Sequence, residues 1–479
     1  MADLPPSGES APADRTRRNT LAFLAALGVV GAALRMWNLG AESLWQDEAW
    51  TWGLAQGNPK DLIFRLARFD AHPPLYYFLV QCWGQISMSD GWIRMLSALF
   101  GLAAIPALYR LASGLGGLRA GLVAATLLTL SPYHVYYSRE ARSYALLFLL
   151  CLVSLDLLLR LATAPSRKHW IAFAALTTAI PLTHYMGVFF IAGEVVLVAL
   201  LRRERPAFLK EFAIASAAAF GLFLPWLPTA YVHLTTVSAG FWLTFPTPTD
   251  MAFSMCSLVV SPFYMGKEGY ALGAVFYGIA LGFARTRRDF ALVGLLLIPP
   301  VGELLVSLHR PLFYTQTFQY ILIPLIALIA LGLARLRPLP CAAACAALGL
   351  ALLPGLYRTE TQLVKEDWRG AVAWIAASQQ PQERIVVQPG FVGIGLERYG
   401  NGAAWMDRIR LVEGGDMFRA GTPRQAIREE LRSQASGLWL VFRHGGDEGW
   451  FEGLAPEFNR VASFTSRGVE VHHYVRRSP

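Results

Sequence analysis

A chain of 479 residues that is 54% hydrophobic and only 16% charged, with a mean hydropathy of +0.40, is too apolar for a soluble domain. Soluble domains carry roughly 25% charged residues. The net charge of +9 sits in short clusters between apolar runs rather than on one basic face, which excludes nucleic acid as its explanation.

Residues 1–19, MADLPPSGESAPADRTRRN, are rich in Pro, Ser and Ala and end in a basic cluster, so a disordered cytoplasmic tail is predicted. The apolar run LAFLAALGVVGAALRMW follows without a small-residue cleavage site and is expected to stay as the first span, near 20–37. Next comes ESLWQDEAW, in which Asp47 and Glu48 are adjacent carboxylates between tryptophans. Taken alone, this stretch reads as an interfacial loop.

A helix needs about 20 residues to cross the hydrocarbon core. Further spans are expected near 93–112, 119–136, 143–161, 170–184, 187–201, 211–229, 270–284, 290–308, 319–334 and 339–356. The stretch PPLYYFLVQCWGQI at 73–86 is short and carries Gln81 and Gln85, which suits an interfacial helix. Charge supports leaving it out of the span count. The loops then placed inside hold Arg15, Arg17, Arg18, Arg110, Arg119, Arg160, Arg167, Lys168, Arg202, Arg203, Arg205, Lys210, Arg285, Arg287, Arg288, Arg335 and Arg337. The outside loops hold only Lys60, Arg65, Arg68, Arg139, Arg142, Lys267 and Arg310. The positive-inside rule favours that arrangement, with the N-terminus inside and the C-terminus outside.

Within the spans, Asp156 and Arg160 are four apart and predicted to pair. Glu194 and Glu303 are isolated acids, costly at the bilayer centre. Cys151, Cys341 and Cys345 lie in apolar segments, where a thiol behaves as a small hydrophobe, and no CxxC spacing suggests zinc. After residue 357 the hydropathy falls. EDWRGAVAWIAASQQ and TPRQAIREELRSQ have helical spacing, while ERIVVQP, GLWLVFRH and VEVHHYV read as strands of a small α/β domain.

Together SLWQDEAWTWGLAQGNPKDLIFRLARFDAHPPLYYFLVQCW, RMLSALFG, LSPYHVYYSREARSYALLFLL and KEDWRGAVAWI resemble the membrane-embedded GT-C glycosyltransferases. The likeness is closest to bacterial members of the protein mannosyltransferase and aminoarabinose transferase superfamily. It implies an all-α polytopic membrane bundle of eleven or so transmembrane helices with a C-terminal extracytoplasmic α/β domain. The implied domains are the tail at 1–19, a catalytic transmembrane domain at 20–356 whose first external loop (38–92) carries juxtamembrane helices, and the α/β domain at 357–479. The expected home is a bacterial cytoplasmic (inner) membrane. The implied reaction moves a sugar from a polyprenyl-phosphate donor to an envelope acceptor (lipid, glycan or protein) with inversion, and the implied partners are donor, membrane lipid and acceptor.

Glycosyl transfer to an alcohol benefits from a carboxylate that removes the proton, and the Asp-Glu motif assigns that role to Asp47. Glu48 orients the base or binds a metal or sugar hydroxyls. The leaving phosphate needs a cation, and Arg139 and Arg142 in SREARSY offer guanidinium forks. Their bland alternative is to anchor a helix end by snorkelling. Glu140, between them, pairs with either arginine or completes the polar site. His72, before Pro73-Pro74, is assigned to sugar binding, helix capping or a metal. No cofactor is required by the pattern, although a divalent metal with Glu48 and His72 as ligands stays open. Where relatives often carry an arginine before the late-loop tyrosine, this chain has Gln319-Tyr320, which leaves Arg310 as a substitute contact. The alternatives from other classes are a lipid-linked sugar flippase or transporter and a non-catalytic lipid-glycan binding scaffold. A transporter built from inverted repeats would show two similar halves, and none is visible. A nucleotide-sugar donor is disfavoured because neither GxGxxG nor a P-loop occurs.

Overall fold

The computed structural model of the chain describes residues 11–201, 205–236, 244–413, 415–444 and 456–477. It contains two compact units, one drawn from Met1–Trp37 and Ser97–Thr361, the other from Asn38–Leu96 and Gln362–Pro479. Hydropathy groups the first external loop with the bundle, but the chain packs that loop with its C-terminal residues. Residues 1–10, the basic pair Arg202 and Arg203, and 237–243, in the loop between the spans expected near 211–229 and 270–284, lie outside the described residues.

From the N-terminus, α1 (Ala11–Met36) is followed by three short helices, α2 (Gln46–Leu54), α3 (Pro59–Phe69) and α4 (Leu75–Trp83). The first helix already starts at Ala11, so residues 11–19, expected in the tail, are helical. The apolar run that follows propagates the helix backwards. Next come α5 (Asp90–Leu130), α6 (Pro132–Ser138), α7 (Tyr144–Thr163), α8 (Arg167–Thr183) and α9 (Gly187–Leu201). The bundle continues with α10 (Ala207–Phe223), α11 (Leu227–Thr236), α12 (Pro248–Val260) and α13 (Lys267–Gly282). It closes with α14 (Arg287–Ser307), α15 (Leu322–Ala334) and α16 (Pro338–Thr361).

Each expected span overlaps helix, and the one near 119–136 is divided at Ser131 between α5 and α6. Among the described residues, 7 helical stretches are long and apolar enough to cross a membrane by length and composition, and α9 and α12 are shorter apolar helices. Leu222 and Leu350 stand 62% and 66% exposed on the bundle, an apolar exterior suited to lipid rather than water. The chain is a multi-pass membrane protein. By contrast α15, apolar on every side, is buried from Leu322 to Leu333, as an all-round hydrophobic helix must be. Within α5, between the spans expected near 93–112 and 119–136, the kink falls at Gly117, whose φ of 77° is the left-handed conformation that glycine tolerates.

Polar side chains in this unit are largely committed to structure. Asp156 pairs with Arg160 (3.0 Å) as expected and also with Arg110 (2.7 Å). Ser154 donates to Glu194 Oε1 (2.8 Å) and Thr317 to Glu303 Oε2 (2.9 Å), both acids fully buried. Arg35 is wholly buried at the C-terminal end of α5, where its guanidinium donates to the carbonyls of Leu128 (2.9 Å) and Thr129 (3.3 Å). Pro132 has no N–H to give Leu128 O, which accepts Ser131 N–H at 3.3 Å instead, so a cation there complements the helix-end carbonyls and the helix dipole.

In the second unit, residues after 361 form α17 (Trp368–Ser378), β1 (Glu383–Gln388), α18 (Ile394–Gly400), β2 (Ile409–Leu411), α19 (Arg424–Gln434), β3 (Gly437–Arg443), β4 (Phe458–Ser466) and β5 (Val469–Arg476). The sheet order is β2-β1-β3-β5-β4, parallel across β2, β1 and β3 and antiparallel beyond. Alternation divides β1 between two cores. Ile385 and Val387 pack with Trp368 and Ile375 of α17, while Val386 packs with Ile427 and Leu431 of α19.

Candidate active site

The Asp-Glu pair occupies the first turn of α2, where carboxylates complement the helix dipole. Glu48 is fully buried and receives a two-pronged contact from Arg94, Nε to Oε1 (2.8 Å) and Nη2 to Oε2 (2.5 Å). Lys365 Nζ reaches the same carboxylate at 2.9 Å. The other guanidinium hydrogens of Arg94 donate to the carbonyls of Leu39 (2.7 Å), Glu42 (2.8 Å) and Ser43 (2.8 Å), so one arginine folds residues 39–43 around the start of α2. Asp47, one residue earlier, is only partly buried.

Two cations on one carboxylate decide what Glu48 can do. A divalent metal added there would meet Arg94 and Lys365, so Glu48 does not fit a metal ligand. His72 donates its backbone N–H to Asp70 Oδ1 (2.7 Å), and its ring Nδ1 lies 2.6 Å from the same oxygen. Among the described residues no group of three or more His, Cys, Asp or Glu is arranged to hold a metal.

A second polar hub lies nearby in sequence. Asp90 accepts from Arg369 (2.6 Å), Arg398 (2.6 Å) and Tyr399 (2.6 Å). Burial, with the Asp90 charge behind it, pushes the Tyr399 phenol well up, so it stays protonated and donates to Asp90 while accepting Leu44 N–H at 2.6 Å. Glu366 and Asp367 extend the network. Burial alone would raise the Asp367 carboxyl, but Gly370 N–H, Ser466 and Arg467 hold it below the ordinary range.

The remaining expected residues belong to the bundle. Arg139 follows the last turn of α6, paired with Glu360 (2.6 Å) and donating to Trp37 O (3.1 Å), which makes it a brace between helix ends. Glu140 and Arg142 are buried, and the backbone N–H of Arg142 donates to Glu140 O at 2.7 Å in the tight turn before α7. Ser97 Oγ donates to Arg142 O at 3.2 Å and fixes that turn from α5. A wall of tyrosines flanks the segment: Tyr137 packs on Tyr133 (4.6 Å between rings) and Tyr144 (5.2 Å), and its hydroxyl donates to Gln316 at 3.3 Å. Tyr320 is buried and donates to Met186 O (2.8 Å), while Arg310 donates to Leu234 O, so both tie backbone segments together. Asp47, Glu48 and His72 therefore share one compact unit, and Arg139, Glu140, Arg142, Arg310 and Tyr320 the other.

Sequence reasoning passed over Arg94, Lys365 and Glu366. All three stand inside quoted motifs, RMLSALFG and KEDWRGAVAWI, and a charge beside an apolar run was their signal.

No curated protein matches the chain by sequence. Residues 71–229 match the family described as dolichyl-phosphate-mannose-protein mannosyltransferase. Among solved structures, ArnT from Cupriavidus metallidurans in the apo state is similar at 14% identity and a TM-score of 0.68, over 96% of this chain and 98% of that one. The same protein bound to undecaprenyl phosphate aligns at 13% identity and 0.64, over 95% and 97%. The apo oligosaccharyltransferase of Archaeoglobus fulgidus aligns at 12% identity and 0.52, over 88% and 69%. In fold the chain is of the GT-C type, a polytopic bundle with a C-terminal domain, and through residues 71–229 it is similar to the dolichyl-phosphate-mannose-protein mannosyltransferases.

Proposed function

We propose that the protein is a membrane glycosyltransferase that takes one sugar from a polyprenyl-phosphate carrier and transfers it, with inversion, to an envelope acceptor on the extracytoplasmic face. The observation that carries this reading is the division of labour in the Asp-Glu pair. Arg94 and Lys365 hold Glu48 inside, and Asp47, one residue earlier in the same first turn, is the partly exposed carboxylate of the pair. The reaction balances simply. An acceptor hydroxyl oxygen bonds to the anomeric carbon as the bond from that carbon to the phosphate oxygen breaks. Asp47 takes the hydroxyl proton, and polyprenyl phosphate leaves with the electron pair. Undecaprenyl phosphate in the similar ArnT structure supports this donor class. The test is to incubate purified protein with a polyprenyl-phosphate sugar and an envelope extract, then read the product's anomeric configuration. Inversion is expected, and retention would reject the single-displacement step.

Arg142, buried in the turn before α7, is the proposed phosphate contact, and Arg139, paired with Glu360, is the brace beside it. Replacing Arg142 by Lys keeps the charge but loses the planar fork, so donor affinity should fall in the order Arg, Lys, Ala, by roughly tenfold or more for Ala. A snorkelling anchor would instead tolerate Lys fully and lose protein level with Ala. Donor affinity and expression measured together for both variants separate the two, and unchanged affinity in Arg142→Ala at normal expression removes Arg142 from the site.

The same reading orients the chain. Export reporters fused after Tyr144 and after Arg358 should both report the extracytoplasmic side, and opposite signals would overturn the topology.

A further inference from the structure

We propose that Glu366 is a positioning residue: it caps the N-terminus of α2 from the C-terminal segment and thereby fixes Asp47 for proton abstraction. The inference rests on the reading of Asp47 as the base. It begins with a deficiency in α2 itself. The helix has only 9 residues, too few to be stable alone. Its N-cap position is held by Trp45, which has no side-chain oxygen to accept a first-turn N–H, as Ser, Thr, Asp or Asn would. The reach of Glu48 back to Trp45 N–H is long, at 3.4 Å.

Glu366 supplies what Trp45 lacks. Its Oε2 accepts the Gln46 N–H, the first residue of α2, at 2.9 Å, and the Trp368 indole N–H at 2.8 Å. Its Oε1 accepts from Arg443 Nε at 2.5 Å, at the end of β3, with His444 Nε2 at 3.4 Å. The carboxylate is buried and bridges a strand of the sheet to the first turn of α2. Its negative charge also lies on the favourable end of the helix dipole.

The neighbouring contacts act in the same sense. Ser43 Oγ donates to Glu366 O (2.6 Å), and Lys365 N–H donates to Glu42 Oε1 (2.9 Å). At the far end, α2 is pressed so closely on the sheet domain that a Cβ on Gly53 would lie 2.7 Å from Met417 Sδ and 3.1 Å from Ile394 Cδ1. Gln46 directly precedes Asp47, so fraying of the first turn displaces the base. A misplacement of about 1 Å costs on the order of 10²-fold in rate.

The test uses the full-length protein in lipid nanodiscs with Glu366→Gln and Glu366→Ala. Hydrogen exchange of the amides from Gln46 to Thr51 is read beside kcat and KM for a polyprenyl-phosphate sugar. The proposal expects exchange in that turn to rise about tenfold or more as local opening becomes easier. It also expects kcat to fall about 10²-fold for Ala, and less for Gln, with KM for the donor unchanged. A merely structural role would lower thermal stability and protein level without splitting kcat from KM. Wild-type exchange in Glu366→Ala, or a frayed α2 with wild-type kcat, overturns the proposal. If Glu366→Ala does not fold, Arg443→Gln removes the partner that orients the carboxylate without touching α2. A smaller fall in kcat with the same exchange pattern is expected there, and no change in either overturns the proposal. Exchange needs no turnover, so it reports on the Glu366 cap even if Asp47→Asn proves active and the base reading fails.

Discussion

Replacing Asp47 by Asn is expected to slow sugar transfer by about 10²–10⁴-fold, the usual yield of a positioned general base, with membrane insertion and donor binding intact. Asn is nearly the same size and shape, but it cannot accept the acceptor's proton at neutral pH. The partner carboxylate cannot take over, because Glu48 is held by Arg94 and Lys365 at 2.5–2.9 Å and has no exposure to solvent. The measurement is turnover beside donor affinity for both proteins. Near-normal turnover in Asp47→Asn would reject the base assignment and point to an acceptor that arrives already ionised, such as a phosphate.

The largest expected loss of stability lies one residue further on. Arg94→Gln removes the two-pronged contact to the buried Glu48, keeps Lys365 beside it, and frees the carbonyls of Leu39, Glu42 and Ser43. Removing one partner of a buried ion pair costs about 3–5 kcal/mol. Thermal unfolding of the purified variant should begin at markedly lower temperature, with Arg94→Lys intermediate because it restores the charge and not the fork. A transition within a degree of wild type for Arg94→Gln would contradict the account of this cluster.

What the sequence revealed and what it hid follow from range. Local signals were legible. Apolar runs marked the spans, spacing marked α17 and α19, and four-residue separation marked the Asp156–Arg160 pair. The role of Glu48 was not, because its partners stand 46 and 317 residues away and no local pattern links them. The same holds for the joining of 38–96 to 362–479, a tertiary event that hydropathy does not encode. α12 was hidden inside an expected loop because it is short and carries Ser and Cys, although its Thr247-Pro248 start and the Asp250 capping box were visible. β4 was missed for another reason: it is an edge strand exposed along most of its length, so it lacks the apolar alternation that marks a half-buried strand.

The central claim is that this protein moves a sugar from a polyprenyl phosphate onto another molecule. Its most direct test places purified wild-type and Asp47→Asn protein in liposomes with radiolabelled polyprenyl-phosphate sugar and an envelope acceptor extract, and follows the label. The account predicts that label leaves the carrier and appears in a new product with wild type only, with free polyprenyl phosphate released in equal amount. Label that crosses the bilayer still attached to its carrier, or that stays bound without conversion, would contradict it and indicate a flippase or a binding scaffold instead.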